Sequence, residues 1–170
     1  MRKTRTSATG SLDFSMISFL IVDDQPFARR IVRSILSGFG SPEVYESANG
    51  GEAIEVARTV LPNIIITDLV MPVSNGVKLI AMLKAPASPV RQIPVIVLSG
   101  YLTKTAALAI TNAGADELLV KPVSPKALYA HISRIVSRQE QPNAPASLLK
   151  NQRKRAESER KKAKDVAFLE

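Results

Sequence analysis

The chain has 170 residues, with 23 Lys plus Arg against 15 Asp plus Glu, a formal charge of +8, no cysteine and a single histidine. That length predicts one core-forming domain with tails, and the absent cysteines exclude disulfides, thiolate catalysis and thiolate-bound metal. One histidine argues against a histidine-based zinc site, so any metal is expected to be a hard cation on oxygen ligands. No stretch approaches the roughly 18 uninterrupted apolar residues of a membrane span. The start of the chain is basic and polar without a following secretory-type apolar run, which predicts a cytoplasmic protein.

The positive charge is not spread evenly. Residues 1–17 hold three basic residues against one acid, residues 138–170 hold nine against five, and residues 18–137 hold eleven against nine. The body is therefore close to balance and most of the excess lies in the tails, which blunts the case for a nucleic-acid footprint on the domain itself. The expected division is a flexible basic lead-in at 1–17, a globular domain at 18–137 and a basic tail at 138–170, helical or disordered.

In chain order, Ser18-Phe19-Leu20-Ile21-Val22 reads as a buried strand closing on Asp23-Asp24. Gln25-Pro26 opens a helix, because proline suits the first turn, and Phe27, Ile31 and Ile35 at i, i+4 and i+8, with Ala28 and Val32 beside them, predict its core face. Gly38-Phe39-Gly40 follows a helix and lacks a third glycine, so it reads as a C-cap and turn instead of a dinucleotide fingerprint. Residues 43–48 alternate as a partly exposed strand, Asn49-Gly50-Gly51 turns the chain, and Ala53, Ile54, Ala57 and Val60 mark a short helix. Asn63-Ile64-Ile65-Ile66-Thr67-Asp68 is a β-branched run buried on both faces that delivers one carboxylate to a Pro-containing loop.

After that loop, Val77, Leu79, Ile80 and Leu83 predict a helix, and residues 93–98 predict the next buried strand, ending at Ser99-Gly100. Thr103 is the expected cap of a helix with Ala106, Ala107 and Ile110, closed by Gly114. Glu117-Leu118-Leu119-Val120 is the last strand, stopping at Lys121-Pro122, and Ser124 caps a last helix with Leu128, Ile132, Ile135 and Val136 inward. Strands separated by helices must cross over right-handedly into a parallel sheet covered on both faces, and ligands of such sheets bind beyond the strands' carboxyl ends.

Those ends carry Asp23-Asp24, Asp68, Ser99 and Lys121. Taken singly, each aspartate reads as a cap, Ser99 as a turn residue and Lys121 as a solvated charge; brought together, they are a site. Three converging carboxylates repel unless a cation neutralises them, and an all-oxygen donor set suits Mg2+. Lys121 and the Ser99 hydroxyl suit an anion beside that metal, and the whole set suits phosphoryl transfer.

Several ordered motifs resemble the receiver domain of two-component response regulators over residues 18–137. They are Phe19-Leu20-Ile21-Val22-Asp23-Asp24, Ala48-Asn49-Gly50-Gly51-Glu52-Ala53, Asp68 with Met71-Pro72 and Gly76, Ser99-Gly100, and Ala113-Gly114-Ala115 with Lys121-Pro122. Arg29-Arg30-Ile31-Val32-Arg33 is similar to single-domain chemotaxis-type regulators. The resemblance implies a flavodoxin-like (βα)5 fold with strand order 2-1-3-4-5. It implies Asp68 as phospho-acceptor from a histidine kinase, a phosphotransfer protein or a small acyl phosphate. Asp23, Asp24, Asp68 and the Val70 carbonyl would hold Mg2+, Lys121, preceding a cis proline, would pair with the phosphoryl oxygens, and Ser99 would move to bond one of them.

The output implied is a changed surface on the last two helices for a downstream protein or a homodimer, with no activity beyond self-phosphorylation and self-dephosphorylation. Position 118 departs from the family pattern. Leu118 replaces the aromatic residue often found three before the lysine, so Tyr101 is the candidate substitute and, with Val70, the candidate shield of the acyl phosphate. The tail, with Arg153-Lys154-Arg155 and Arg160-Lys161-Lys162-Ala163-Lys164, reads as a solvated helix. Nucleic acid, an acidic protein or an anionic membrane are its alternative partners, and a constitutive scaffold or a nucleic-acid-binding regulator are the alternative functions.

Overall fold

The computed structural model describes residues 12–72 and 75–140, the side chain of Glu140 excepted. The expectations for the lead-in before Leu12 and for the tail beyond Glu140 lie outside the described residues.

Five strands, β1 (Phe19–Val22), β2 (Val44–Ser47), β3 (Ile64–Asp68), β4 (Val95–Ser99) and β5 (Glu117–Val120), alternate with five helices. The helices are α1 (Pro26–Gly38), α2 (Gly50–Val60), α3 (Gly76–Lys84), α4 (Lys104–Asn112) and α5 (Pro125–Glu140). All strand pairs are parallel and the order is β2-β1-β3-β4-β5, the flavodoxin-like arrangement. The three central strands are buried along their whole length, whereas the edge strands β2 and β5 are mostly half-buried. Continuous β-branched runs sit in the middle because both of their faces must be covered.

The sheet separates two cores. One face carries Phe19, Ile21, Ile64, Ile66, Ile96 and Leu98 against α1 and α5, and the other carries Leu20, Val22, Ile65, Val95 and Val97 against α2, α3 and Ile110 of α4. Helix starts are set locally: the Asn49 side chain accepts from Glu52 N–H at 2.9 Å while Glu52 accepts from Ala48 N–H at 3.0 Å, so this segment is a reciprocal cap more than a simple turn. Thr103 caps α4 as expected, accepting from Ala106 N–H at 3.0 Å, and Ser124 does the same for Ala127 N–H at 3.2 Å. Among the described residues no helix is long and apolar enough to cross a membrane.

Two expectations are corrected. The core face of α1 is Val32 and Leu36, with Ile35 at its margin, while Phe27 is 71% exposed and Ile31 42% exposed. An i, i+4 pattern fits neighbouring stripes of one helix equally well, and here the opposite flank decides the rotation: Arg29 and Arg33 both reach Glu46 on β2. The ordered body also begins before Ser18. Asp13 caps a short 3-10 turn, Phe14–Met16, and Phe14 and Ile17 are buried.

Phe14 lies among Phe19, Phe39 and Tyr129, with ring centroids at 6.4, 4.9 and 5.7 Å, and the Tyr129 hydroxyl accepts from Leu12 N–H at 3.4 Å. The turn thus staples β1, the end of α1 and α5 at the foot of the sheet. Truncating a buried aromatic ring typically costs ~3–5 kcal/mol. Phe14→Ala is expected to lower the urea-unfolding free energy by about that much, measured by circular dichroism; a loss below ~1 kcal/mol would show that the segment only rests on the surface.

Candidate functional site

The carboxyl ends of β1, β3, β4 and β5 bring Asp23, Asp24, Asp68, Ser99 and Lys121 into one region. Asp68 terminates β3 with its side chain almost covered, and the loop after it is packed so tightly that a Cβ on Gly76 would lie 2.7 Å from the Leu69 carbonyl and 2.8 Å from that of Asp68. Glycine is therefore required there by close approach. Leu69 N–H donates to the Leu98 carbonyl at 2.9 Å and Lys121 N–H to the Ser99 carbonyl at 2.8 Å, which tie the exits of the three strands together.

Carboxylate oxygens of Asp23, Asp24 and Asp68 all lie within 4.8 Å of one another. Lys121 Nζ sits 2.9 Å from Asp68 Oδ1 and 3.2 Å from Asp23 Oδ2, and Asp23 Oδ1 accepts from Gln25 N–H at 2.8 Å. Three carboxylates face one ammonium, so the cluster retains negative charge. Burial is the largest influence on Asp68 and pushes its carboxyl above the usual range, with Asp23 adding to the push; the hydrogen bond and charge of Lys121 pull the other way without cancelling it. Burial also works to lower Lys121, but its bonds and charge pairing with Asp68 and Asp23 prevail and hold the ammonium above its ordinary value. The all-oxygen donor set and surplus negative charge fit a hard divalent cation.

The other candidates are placed less uniformly. Ser99 is buried, but its hydroxyl donates to the Tyr101 carbonyl at 2.7 Å and so its proton is already committed within its own loop. Tyr101 is 80% exposed and Val70 74% exposed, Val70 lying in an isolated antiparallel bridge with Asn75. Leu118 is half-buried against the second core instead of standing free at the surface. The Lys121–Pro122 peptide is cis, as the resemblance implies.

One contributor to the site's frame was missed by the sequence reading. Arg29 Nη1 donates to the Asp23 carbonyl at 2.7 Å and Nε to Glu46 at 2.9 Å, so a half-buried guanidinium joins the acidic turn to the edge strand. The only signal was two arginines one turn apart, Arg29 and Arg33, facing a strand with a single inward acid.

The profile of the response regulator receiver domain matches residues 19–133. Chemotaxis protein CheY1 of Helicobacter pylori is 32% identical over 113 residues, which is 66% of this chain and 90% of that protein. The probable transcriptional regulator ycf27 of Cyanophora paradoxa is 32% identical over 131 residues, 77% of this chain and 53% of the relative, so the chain spans about half the length of that curated relative. Among solved structures, chemotaxis protein CheY4 of Vibrio cholerae superposes with a TM-score of 0.65 at 28% identity, covering 69% of this chain and 97% of that one. The parallel sheet, the acidic cluster with its lysine and these similarities lead to one assignment: the chain belongs to the response regulator receiver domain family.

Proposed function

We propose that the chain is a stand-alone receiver that takes a phosphoryl group onto Asp68 and signals by changing which partner it binds. The observation that carries this reading is the 2.9 Å pairing of Asp68 with Lys121 inside a cluster of three carboxylates. In the transfer, an Asp68 oxygen attacks phosphorus, the new P–O bond forms as the P–N bond of a kinase's phosphohistidine breaks, and the imidazole leaves with the electron pair and takes up a proton. With a small acyl phosphate, a P–O bond breaks and a carboxylate leaves. Bound Mg2+, held by Asp23, Asp24, Asp68 and the Val70 carbonyl, would neutralise the converging negative charge. Lys121 moves from pairing carboxylates to pairing a phosphoryl oxygen, and catalysis of this self-modification and its reversal is the only enzymatic activity in the proposal.

Ser99 supplies the link to output. To donate to a phosphoryl oxygen its hydroxyl must leave the Tyr101 carbonyl, and that frees the loop leading into α4. No ring stands at position 118, so this backbone release carries the signal. Tyr101, Leu108 and Val120 are 80%, 64% and 49% exposed, which supports an apolar contact for a downstream protein, or a second copy of the chain, on the surface of α4, β5 and α5.

Three outcomes check the proposal. Incubation with acetyl phosphate and Mg2+ is expected to add one phosphoryl mass that Asp68→Asn abolishes, followed by intact-mass spectrometry; no gain would instead favour a constitutive scaffold. Changing Val70 to Asn and Tyr101 to Glu together should shorten the phosphoryl lifetime several-fold, because bulk at both positions shields the acyl phosphate; an unchanged lifetime would remove that role.

The third concerns stability. A carboxyl whose folded pKa is raised binds its proton more tightly when folded, so ionisation costs stability as pH rises from the ordinary value of 3.8 through the folded one. In metal-free neutral buffer Asp68→Asn is therefore expected to melt above wild type, with the gap closing towards acid pH and on addition of Mg2+, which stabilises the wild type by binding. A lower Tm for the variant would contradict the electrostatics described.

A further inference from the structure

Arg29 is not one of the cluster residues, yet it touches the cluster's backbone. Its side chain is 15% exposed, and its two bonds, to the Asp23 carbonyl at 2.7 Å and to Glu46 at 2.9 Å, fix the guanidinium at both ends. Glu46 is a steady anchor: Arg33 above all, with Arg29, keeps its carboxyl below the ordinary range against the opposing effect of burial. The carbonyl that Arg29 grips belongs to the peptide joining Asp23 to Asp24, so the guanidinium sets the plane from which Asp24 is presented.

Asp24 depends on that grip more than its neighbours do. The Asp23 carboxylate is held by Gln25 N–H at 2.8 Å and by Lys121 at 3.2 Å, and that of Asp68 by Lys121 at 2.9 Å. Among the described residues the half-buried Asp24 carboxylate has no hydrogen-bond or ion-pair partner, so its position follows from its backbone. We infer that Arg29, anchored by Glu46, is a positioning residue of the metal site: it holds the Asp23–Asp24 peptide so that the Asp24 carboxylate meets the cation with Asp23 and Asp68. The inference rests on the Mg2+ reading of the cluster given above.

The sign of the effect separates this role from a Coulombic one. Deleting a cation beside three carboxylates should tighten Mg2+ binding if only charge matters, whereas deleting a positioning group should weaken it. The experiment is a titration of the full, unphosphorylated chain with Mg2+ alone, followed by amide NMR shifts. Arg29→Met is expected to raise the half-saturating Mg2+ concentration by roughly 10-fold, the lower end of what outer-shell partners of metal ligands are worth. Arg29→Lys, which can still donate to the Asp23 carbonyl while giving up the Nε bond to Glu46, should recover most of the affinity. Arg33→Met, which loses the contacts to Glu46 and to the Val44 carbonyl but none to Asp23, should stay near wild type.

Arg29→Gln replaces the Met variant if that one does not fold, with the same expected direction. An unchanged or lower midpoint on removing Arg29, or an equal rise in Arg33→Met, would overturn the assignment. Wild-type protein that binds no Mg2+ would sink the reading of the site itself, while wild-type binding with no shift in the Arg29 variants would sink only the role of Arg29.

Discussion

The interaction on which the site depends is the ammonium of Lys121 held between Asp68 and Asp23, 2.9 and 3.2 Å away. Three carboxylates at the mouth of a buried sheet repel one another, and burial alone already raises the proton affinity of Asp68. One lysine makes the arrangement tolerable without satisfying it. The residual negative charge suits a divalent cation, and under the proposed function the doubly paired lysine would follow a phosphoryl oxygen when charge is redistributed.

The scaffold exists to keep those groups together. Parallel strands with fully buried centres place every chain exit at one edge of the sheet, and the bonds from Leu69 to Leu98 and from Lys121 to Ser99 lock neighbouring exits in register. Gly76 lets α3 close against the carbonyls of Asp68 and Leu69, which holds the end of β3 in place. By contrast, the Ser99 hydroxyl is committed to the Tyr101 carbonyl, in a loop whose side chain faces solvent. Carboxylates held by the strand ends, with a nearby hydroxyl engaged in its own loop, suit the proposed switch: the acidic groups are already gathered and Ser99 has a bond to give up.

Most of this architecture was legible in the sequence because it is written locally. Each buried strand is an apolar run that stops at a polar residue, and Thr103 and Ser124 cap the helices that follow. What escaped depends on contacts between distant segments. The facing of α1 is decided by Arg29 and Arg33 reaching Glu46, so Phe27 and Ile31 fall outside the core despite their helical spacing. Phe14 is an isolated apolar residue in a polar stretch, with no period to announce that it joins Phe19, Phe39 and Tyr129. Ser99 was correctly placed at a strand end, but the direction of its hydroxyl is set by the loop backbone, which no residue pattern encodes.

The account stands or falls on whether Asp68, Lys121 and Ser99 converge on one tetrahedral anion. The most direct measurement is a crystal structure of the chain with Mg2+ and beryllium trifluoride, a stable mimic of a phosphoryl group. The account predicts beryllium bonded to an Asp68 oxygen, Lys121 Nζ and Ser99 Oγ each on a fluorine, and the bond from Ser99 to the Tyr101 carbonyl broken. A structure in which the mimic is bound while Ser99 still donates to Tyr101, or in which Mg2+ and the mimic leave Asp68 untouched, would contradict it.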